Sequence, residues 1–222
     1  LNNPNNPTGA LMDEKFIKEV IEIADSFGAY VLCDEVYRGL EHETGNITHS
    51  IVDLYERGIS TGSMSKVFSL AGLRLGWIAG PIEVIKECFL HRDYTTISCG
   101  RIDDYLAVVA LKNRDRILER NRKIIQENLA ILTSWIEKED HVSWVPPKAG
   151  TTAFLNFGEY DISSRDFCRR LLNETGAFLV PGSAFGPEFE GWARIGFACD
   201  SEVLRKGLDC ISAFLRKLEG EY

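Results

Sequence analysis

The chain has 222 residues, 45% of them hydrophobic and 26% charged, and a formal net charge of −8. That length supports one large unit or one and a half, with a sizeable core. The acidic balance argues against a nucleic-acid surface, and no apolar run approaches the roughly 20 residues of a membrane span. No basic-then-apolar secretion leader is read in these residues.

The opening nine residues, LNNPNNPTG, place four asparagines, two prolines and a glycine together. Such a composition reads as irregular backbone, and Asn6-Pro7-Thr8-Gly9 just before a patterned helix reads as a stiff loop that aims a side chain. Asp13 and Glu14 suit a helix start, and Phe16, Ile17, Val20, Ile21, Ala24 and Phe27 recur at helical spacing up to Gly28. AYVLCDE (29–35) is a short apolar run ending in acids, a buried strand. Residues 58–62 form a weaker, glycine-bearing strand, and RLGWIAG (74–80) a third, followed by a helix opening at Pro81. Alternation of this kind predicts an α/β layer with a largely parallel sheet.

From Ile102 to about Glu139 the pattern is helical, marked by Leu106, Val109, Leu118, Ile125, Leu129, Leu132 and Ile136, with a bend at Asn113-Arg114-Asp115. Beyond it, VSWVPP, TTAFLNF, a helix over 163–173, AFLVPG, ARIGFA and a helix over 201–218 describe a compact α+β layer. A domain boundary is expected near residue 115, giving domains 1–115 and 116–222.

The six cysteines lie singly and show no metal-binding spacing, so they read as reduced core thiols of a cytoplasmic protein. His42 and His49, beside Glu41 and Glu43 in EHETGNITH, read as a solvated loop, and no metal is expected. Asn46-Ile47-Thr48 and Asn173-Glu174-Thr175 match a glycosylation pattern that has no meaning without secretion.

The strongest chemical signal is SMSKVFSLAGLRLGW (63–77). Lys66 follows Ser63 and Ser65 at a strand end, where ligands bind in open α/β folds, and Arg74 follows eight residues later. Two hydroxyls and a guanidinium suit a phosphate ester. A phosphate beside a lysine suggests a phosphorylated aldehyde held as a Schiff base.

Asn6-Pro7-Thr8-Gly9, Asp34-Glu35-Val36-Tyr37, Ser63-x-Ser65-Lys66 with Arg74, and Arg194 in ARIGFA together resemble the fold-type I pyridoxal-phosphate enzymes, the class I/II aminotransferases. The resemblance implies a partial large domain with a mainly parallel sheet and a small C-terminal α+β domain. It implies pyridoxal 5'-phosphate as cofactor and an amino group moved from an L-amino acid to a 2-oxo acid through Lys66. Lys66 is then the attachment point and the general base. Asp34 pairs with the protonated ring nitrogen, Tyr37 and Asn6 serve the ring oxygen, and Ser63, Ser65 and Arg74 hold the phosphate. Arg194, with Asn6 beside the substrate, grips the α-carboxylate, and PGSAFG (181–186) resembles the loop by which the small domain closes. A homodimer is implied, with no nucleic-acid or membrane partner. Family members carry well over a hundred residues before the first of these motifs, so the chain is expected to be the C-terminal portion of a longer polypeptide. A lyase, such as a C–S lyase, or a decarboxylase on the same fold stays open, as does a catalytically silent binding or regulatory module.

Overall fold

A computed structural model describes residues 1–43, 47–160 and 162–220. Residues 44–46 of the EHETGNITH loop, including Asn46 of the first glycosylation pattern, lie outside them. The chain divides into two units, residues 1–5 with 10–122 and residues 6–9 with 123–222.

In the first unit, helix α1 (Glu14–Ser26) begins where the Asp13 carboxylate accepts from the Phe16 amide at 2.8 Å, and it ends ahead of Gly28 in the left-handed region. Its apolar stripe places Ile17 in a core with Val31, Cys33 and Ile51. Strands β1 (Val31–Asp34), β2 (Gly58–Ser63) and β3 (Gly76–Ala79) form a sheet in that order, with the single-turn helix α2 (Ile51–Leu54) between β1 and β2.

β1 and β2 are parallel, with Asp34 opposite Thr61, and Asn2 adds a parallel bridge to Asp34 on the other side. β3 runs antiparallel to β2. The reason lies in the connection: residues 64–75 hold only a 3-10 turn at Ala71–Leu73, and without a crossover helix the chain turns back on itself. The predicted third strand also starts later than Arg74, which closes that turn at φ 48°. Gly62 faces Trp77 so closely that a Cβ would lie 2.4 Å from the indole, so only glycine lets the two strands pair there.

Helices α3 (Ile82–Arg92) and α4 (Arg101–Lys112) follow, and Asn113 breaks the helical run before α5 (Arg114–Ile136). α4 packs on the Ala71–Leu73 turn, and its buried residues are the small Ala107 and Ala110, whereas the larger Leu106 and Val109 are exposed. The same is true of the cysteines. All six are free, Cys33 and Cys168 are buried, but Cys88 and Cys99, on and beyond the exposed α3, are not core thiols.

The second unit is built on an antiparallel sheet in the order β4 (Ser143–Trp144), β5 (Thr152–Asn156), β7 (Trp192–Gly196), β6 (Val180–Pro181). Helix α6 (Ser164–Thr175) is capped by Ser163 and stopped by Gly176, and α7 (Ser201–Glu219) is capped by Asp200. Its core gathers Leu155, Phe167, Leu171, Phe197 and Phe214, with the Phe167 and Phe214 rings edge to face at 5.4 Å. Asn128, on α5 and 1% exposed, donates from Nδ2 to the carbonyls of Phe197 and Cys199, both at 2.7 Å, and so ties the end of β7 to the helix.

Candidate active site

The sequence-predicted residues fall into two groups, one in each unit. Asp34, Tyr37, Ser63, Ser65, Lys66 and Arg74 belong to the first, and Asn6 and Arg194 to the second.

Parallel pairing of β1 and β2 brings the carboxyl ends of both strands to one sheet edge, so Asp34 and Ser63 lie on the same side of the sheet. The Asp34 backbone is fixed by the first three residues. Its amide donates to the Leu1 carbonyl at 3.0 Å, and its carbonyl accepts from the Asn3 amide at 3.0 Å and from Asn2 Nδ2 at 3.1 Å. Its side chain is half-buried, and Oδ1 accepts from the Val36 amide and the Thr61 hydroxyl, both at 3.2 Å. Among the described residues Oδ2 has no hydrogen-bond partner.

The neighbouring Glu35 is different. Buried, it accepts from the Ser50 hydroxyl and the Ile51 amide, both at 2.7 Å, and so caps α2 rather than facing a ligand. Tyr37 is 5% exposed and sits in the core. Cys33, on the adjacent strand position, is pushed up to about 11 by burial first and by Glu35 second, so it stays a thiol at neutral pH.

Past β2 the chain alternates anchors with outward-facing groups. Met64, Val67 and Phe68 are buried, while Ser65 is half-buried and Lys66 exposed. The Met64 amide donates to the Leu75 carbonyl at 3.0 Å, its carbonyl accepts from the Leu70 amide at 2.9 Å, and Asn121 Nδ2 donates to the Val67 carbonyl at 2.8 Å. These bonds hold the loop on both sides of Lys66, whose amine has no partner among the described residues. Ser63 Oγ accepts from the Ser65 amide at 3.2 Å, which keeps its own proton for donation. Ser69 and Arg74 both adopt left-handed backbone, at φ 57° and 48°, a conformation that side-chain-bearing residues leave unless the surroundings impose it. Arg74 Nη1 donates to the Ala71 carbonyl at 2.8 Å, and the rest of its fork is unpaired among the described residues.

In the second unit Arg194 lies on β7 with Phe154 opposite it on β5 and Val180 on β6. Its Nη1 donates to Asn6 Oδ1 at 2.9 Å, and its guanidinium carbon stands 5.3 Å from the centre of the Phe185 ring. Asn6 is held by its loop. The Gly9 carbonyl accepts from the amides of Lys148 and Ala149, and Thr152 Oγ1 donates to the Pro7 carbonyl at 3.3 Å. Gly9 has φ +68°, and a Cβ there would lie 2.3 Å from Pro147. The Pro/Gly-rich opening is therefore rigid for a packing reason. Sequence reasoning missed Phe185 as a partner of Arg194; an aromatic in PGSAFG was the available signal.

His42, Glu41 and His49 do not converge. The buried Glu41 carboxylate accepts from the Gly39 and Thr48 amides and from the Thr48 hydroxyl, and His49 Nε2 lies 3.4 Å from Glu14.

The family model described as aminotransferase class I and II matches residues 1–211. The chain belongs to the class I and II aminotransferases. A crystal structure of a PLP-dependent aminotransferase from Streptococcus suis is 46% identical and superposes with a TM-score of 0.92, over 98% of this chain and 56% of that one. Among curated proteins, capreomycidine synthase of Streptomyces vinaceus is 32% identical over 96% of this chain and 54% of its own length. Aspartate aminotransferase of Pyrococcus horikoshii is 30% identical over 100% of this chain and 56% of its own. The chain thus spans about half the length of the relatives it matches.

Pyridoxal 5'-phosphate is the cofactor of these aminotransferases, and the first group of residues suits it. The cofactor offers a basic ring nitrogen, an aldehyde and a phosphate. To match these, the group offers, among the described residues, a carboxylate oxygen without a partner, an unpaired primary amine, and two serines with an open guanidinium fork.

Proposed function

We propose that this chain carries the lysine-bearing part of a pyridoxal-phosphate-dependent aminotransferase, which moves an amino group from an L-amino acid to a 2-oxo acid. The observation that carries the reading is the state of Asp34. One carboxylate oxygen is fixed by two donors and the other has no partner among the described residues, at the sheet edge from which the Lys66 loop departs. A half-buried carboxylate left this way has a reason if a cation completes it, and a protonated ring nitrogen is such a cation.

When bound, the cofactor supplies an electron sink for the negative charge that develops at the substrate Cα. Asp34 Oδ2 would hold the ring nitrogen protonated. Tyr37 and Asn6 would serve the ring oxygen, and Ser63, Ser65 and the Arg74 fork would hold the phosphate. Lys66 Nζ would attach the cofactor covalently and, once released, accept the proton from the substrate Cα. Arg194 would take the substrate α-carboxylate through its fork, oriented by Asn6 and Phe185.

A cytoplasmic homodimer belongs to the same proposal. It is supported by the free cysteines and by an exposed apolar surface on and after α3 that includes Phe89, Leu90, Tyr94 and Ile97. No described helix is long and apolar enough to cross a membrane.

A second reading, a reaction other than amino transfer on the same residues, such as that of a lyase, is favoured by one observation: a relative as similar as the aminotransferases is named a synthase. One experiment separates the two. The complete polypeptide is loaded with cofactor and offered a panel of L-amino acids in single turnover, with products identified by mass spectrometry. An aminotransferase releases the matching 2-oxo acid and needs a second 2-oxo acid to turn over again. A lyase product formed without an acceptor would overturn the proposal.

A further inference from the structure

Asp34 and Thr61 are partners in the parallel register of β1 and β2, so their side chains share one face of the sheet. Thr61 Oγ1 donates to Asp34 Oδ1 at 3.2 Å, the same oxygen that accepts from the Val36 amide. The amide comes with the backbone and is present whatever the side chains are. The hydroxyl does not. Valine has nearly the same shape and suits a strand equally well, so strand formation gives no reason for an oxygen at this position.

The two donors act on the carboxylate together. A single donor lets the group swing about its χ2 torsion, whereas two donors converging on Oδ1 set the plane and leave Oδ2 to a ligand. We propose that Thr61 is a positioning residue, which orients Asp34 so that Oδ2 holds a proton on the cofactor's ring nitrogen. This rests on the reading of Asp34 as the ring-nitrogen partner, and it adds a side chain outside every motif that marked the site in the sequence.

The test uses the complete polypeptide loaded with pyridoxal 5'-phosphate labelled with nitrogen-15 in the ring, because that nucleus reports its protonation directly. Wild type is expected to show the shift of a protonated ring nitrogen. Thr61→Val and Thr61→Ala are expected to move it toward the unprotonated position, with kcat falling about tenfold and KM for the amino acid little changed. Thr61→Ser is expected to restore the wild-type shift. Asp34→Asn serves as the control and is expected to show the unprotonated shift in full. If Thr61→Val and Thr61→Ala both keep the wild-type shift while Asp34→Asn loses it, the role of Thr61 is overturned and the reading of Asp34 stands. A change in Thr61→Ala but not in Thr61→Val would also overturn it, since side-chain volume and not the hydroxyl would be responsible. If Asp34→Asn keeps the wild-type shift, the underlying reading fails and the role of Thr61 fails with it.

Discussion

Arg194 and Asn6, 188 positions apart in the sequence, share a hydrogen bond of 2.9 Å from the guanidinium Nη1 to the amide oxygen. Arginine carries five donors on a rigid plane, so one bond on a single nitrogen orients the fork while leaving most of it open. If the fork binds the substrate carboxylate, Arg194→Lys should raise KM for amino acid and 2-oxo acid about 10- to 100-fold, because an ammonium cannot reproduce a bidentate grip. Asn6→Ala should raise it less, and the double variant should lose less than the sum of the two. Steady-state kinetics on the four proteins decides the matter; strictly additive effects would mean that the bond does not couple them.

Phe185 gives the same guanidinium a second support, its ring centre 5.3 Å away. Phe185→Leu keeps an apolar side chain but removes the aromatic face. A contact of this kind contributes about 0.5–2 kcal/mol, so KM should rise roughly 2- to 30-fold with kcat nearly constant. A fall in kcat at unchanged KM would assign Phe185 to another step.

A stability prediction follows from Asn128. Replacing it by leucine keeps the branched shape of the side chain but removes the donor that the carbonyls of Phe197 and Cys199 share, at a cost of about 1–3 kcal/mol. Asn128 Oδ1 is itself buried without a partner among the described residues, which offsets part of that loss. Urea denaturation of the second unit's transition should show a lower midpoint. A midpoint equal to wild type would remove Asn128 as the tie between α5 and the end of β7.

His141 offers a pH test outside the candidate site. Its Nδ1 lies 2.5 Å from Glu159 Oε2, and that hydrogen bond, with the charges of Glu159 and Glu219, raises its pKa above the ordinary 6.5. A raised folded-state pKa means that the pair's contribution to stability is fully present below about pH 6.5 and is lost as pH rises through the higher folded value. An NMR titration of the His141 ring should give a midpoint above 6.5, and Glu159→Gln should bring it down. A midpoint unchanged by Glu159→Gln would show that the pair does not persist in solution.

How much of this was legible in the sequence depends on whether the signal is local. Helix α1 could be read from its spacing, its Asp13 cap and Gly28, and β1 from a short apolar run ended by acids. Lys66 stood out because it follows two serines at a strand end, with Arg74 eight residues on. The direction of β3 was not legible, since strand polarity depends on what the connection can span and not on the composition of the strand. Helix α2 has four residues, too few to show a period. Glu35 and Glu41 looked like ordinary acids because the donors that satisfy them sit up to 16 residues away. Thr61 fell within the expected strand over 58–62 and Asn128 within the long helical stretch, with nothing local to single out either. Both acquire a role only when the register of β1 and β2, or the end of β7, brings a partner to them.

We propose Lys66 as the lysine to which the cofactor attaches. Borohydride reduction of the cofactor-loaded complete polypeptide fixes the cofactor on whichever lysine holds it, and peptide mapping then locates it. The phosphopyridoxyl mass is expected on the peptide containing Ser65-Lys66-Val67, with no label in Lys66→Ala. Label on any other lysine, or label retained by Lys66→Ala, would contradict it.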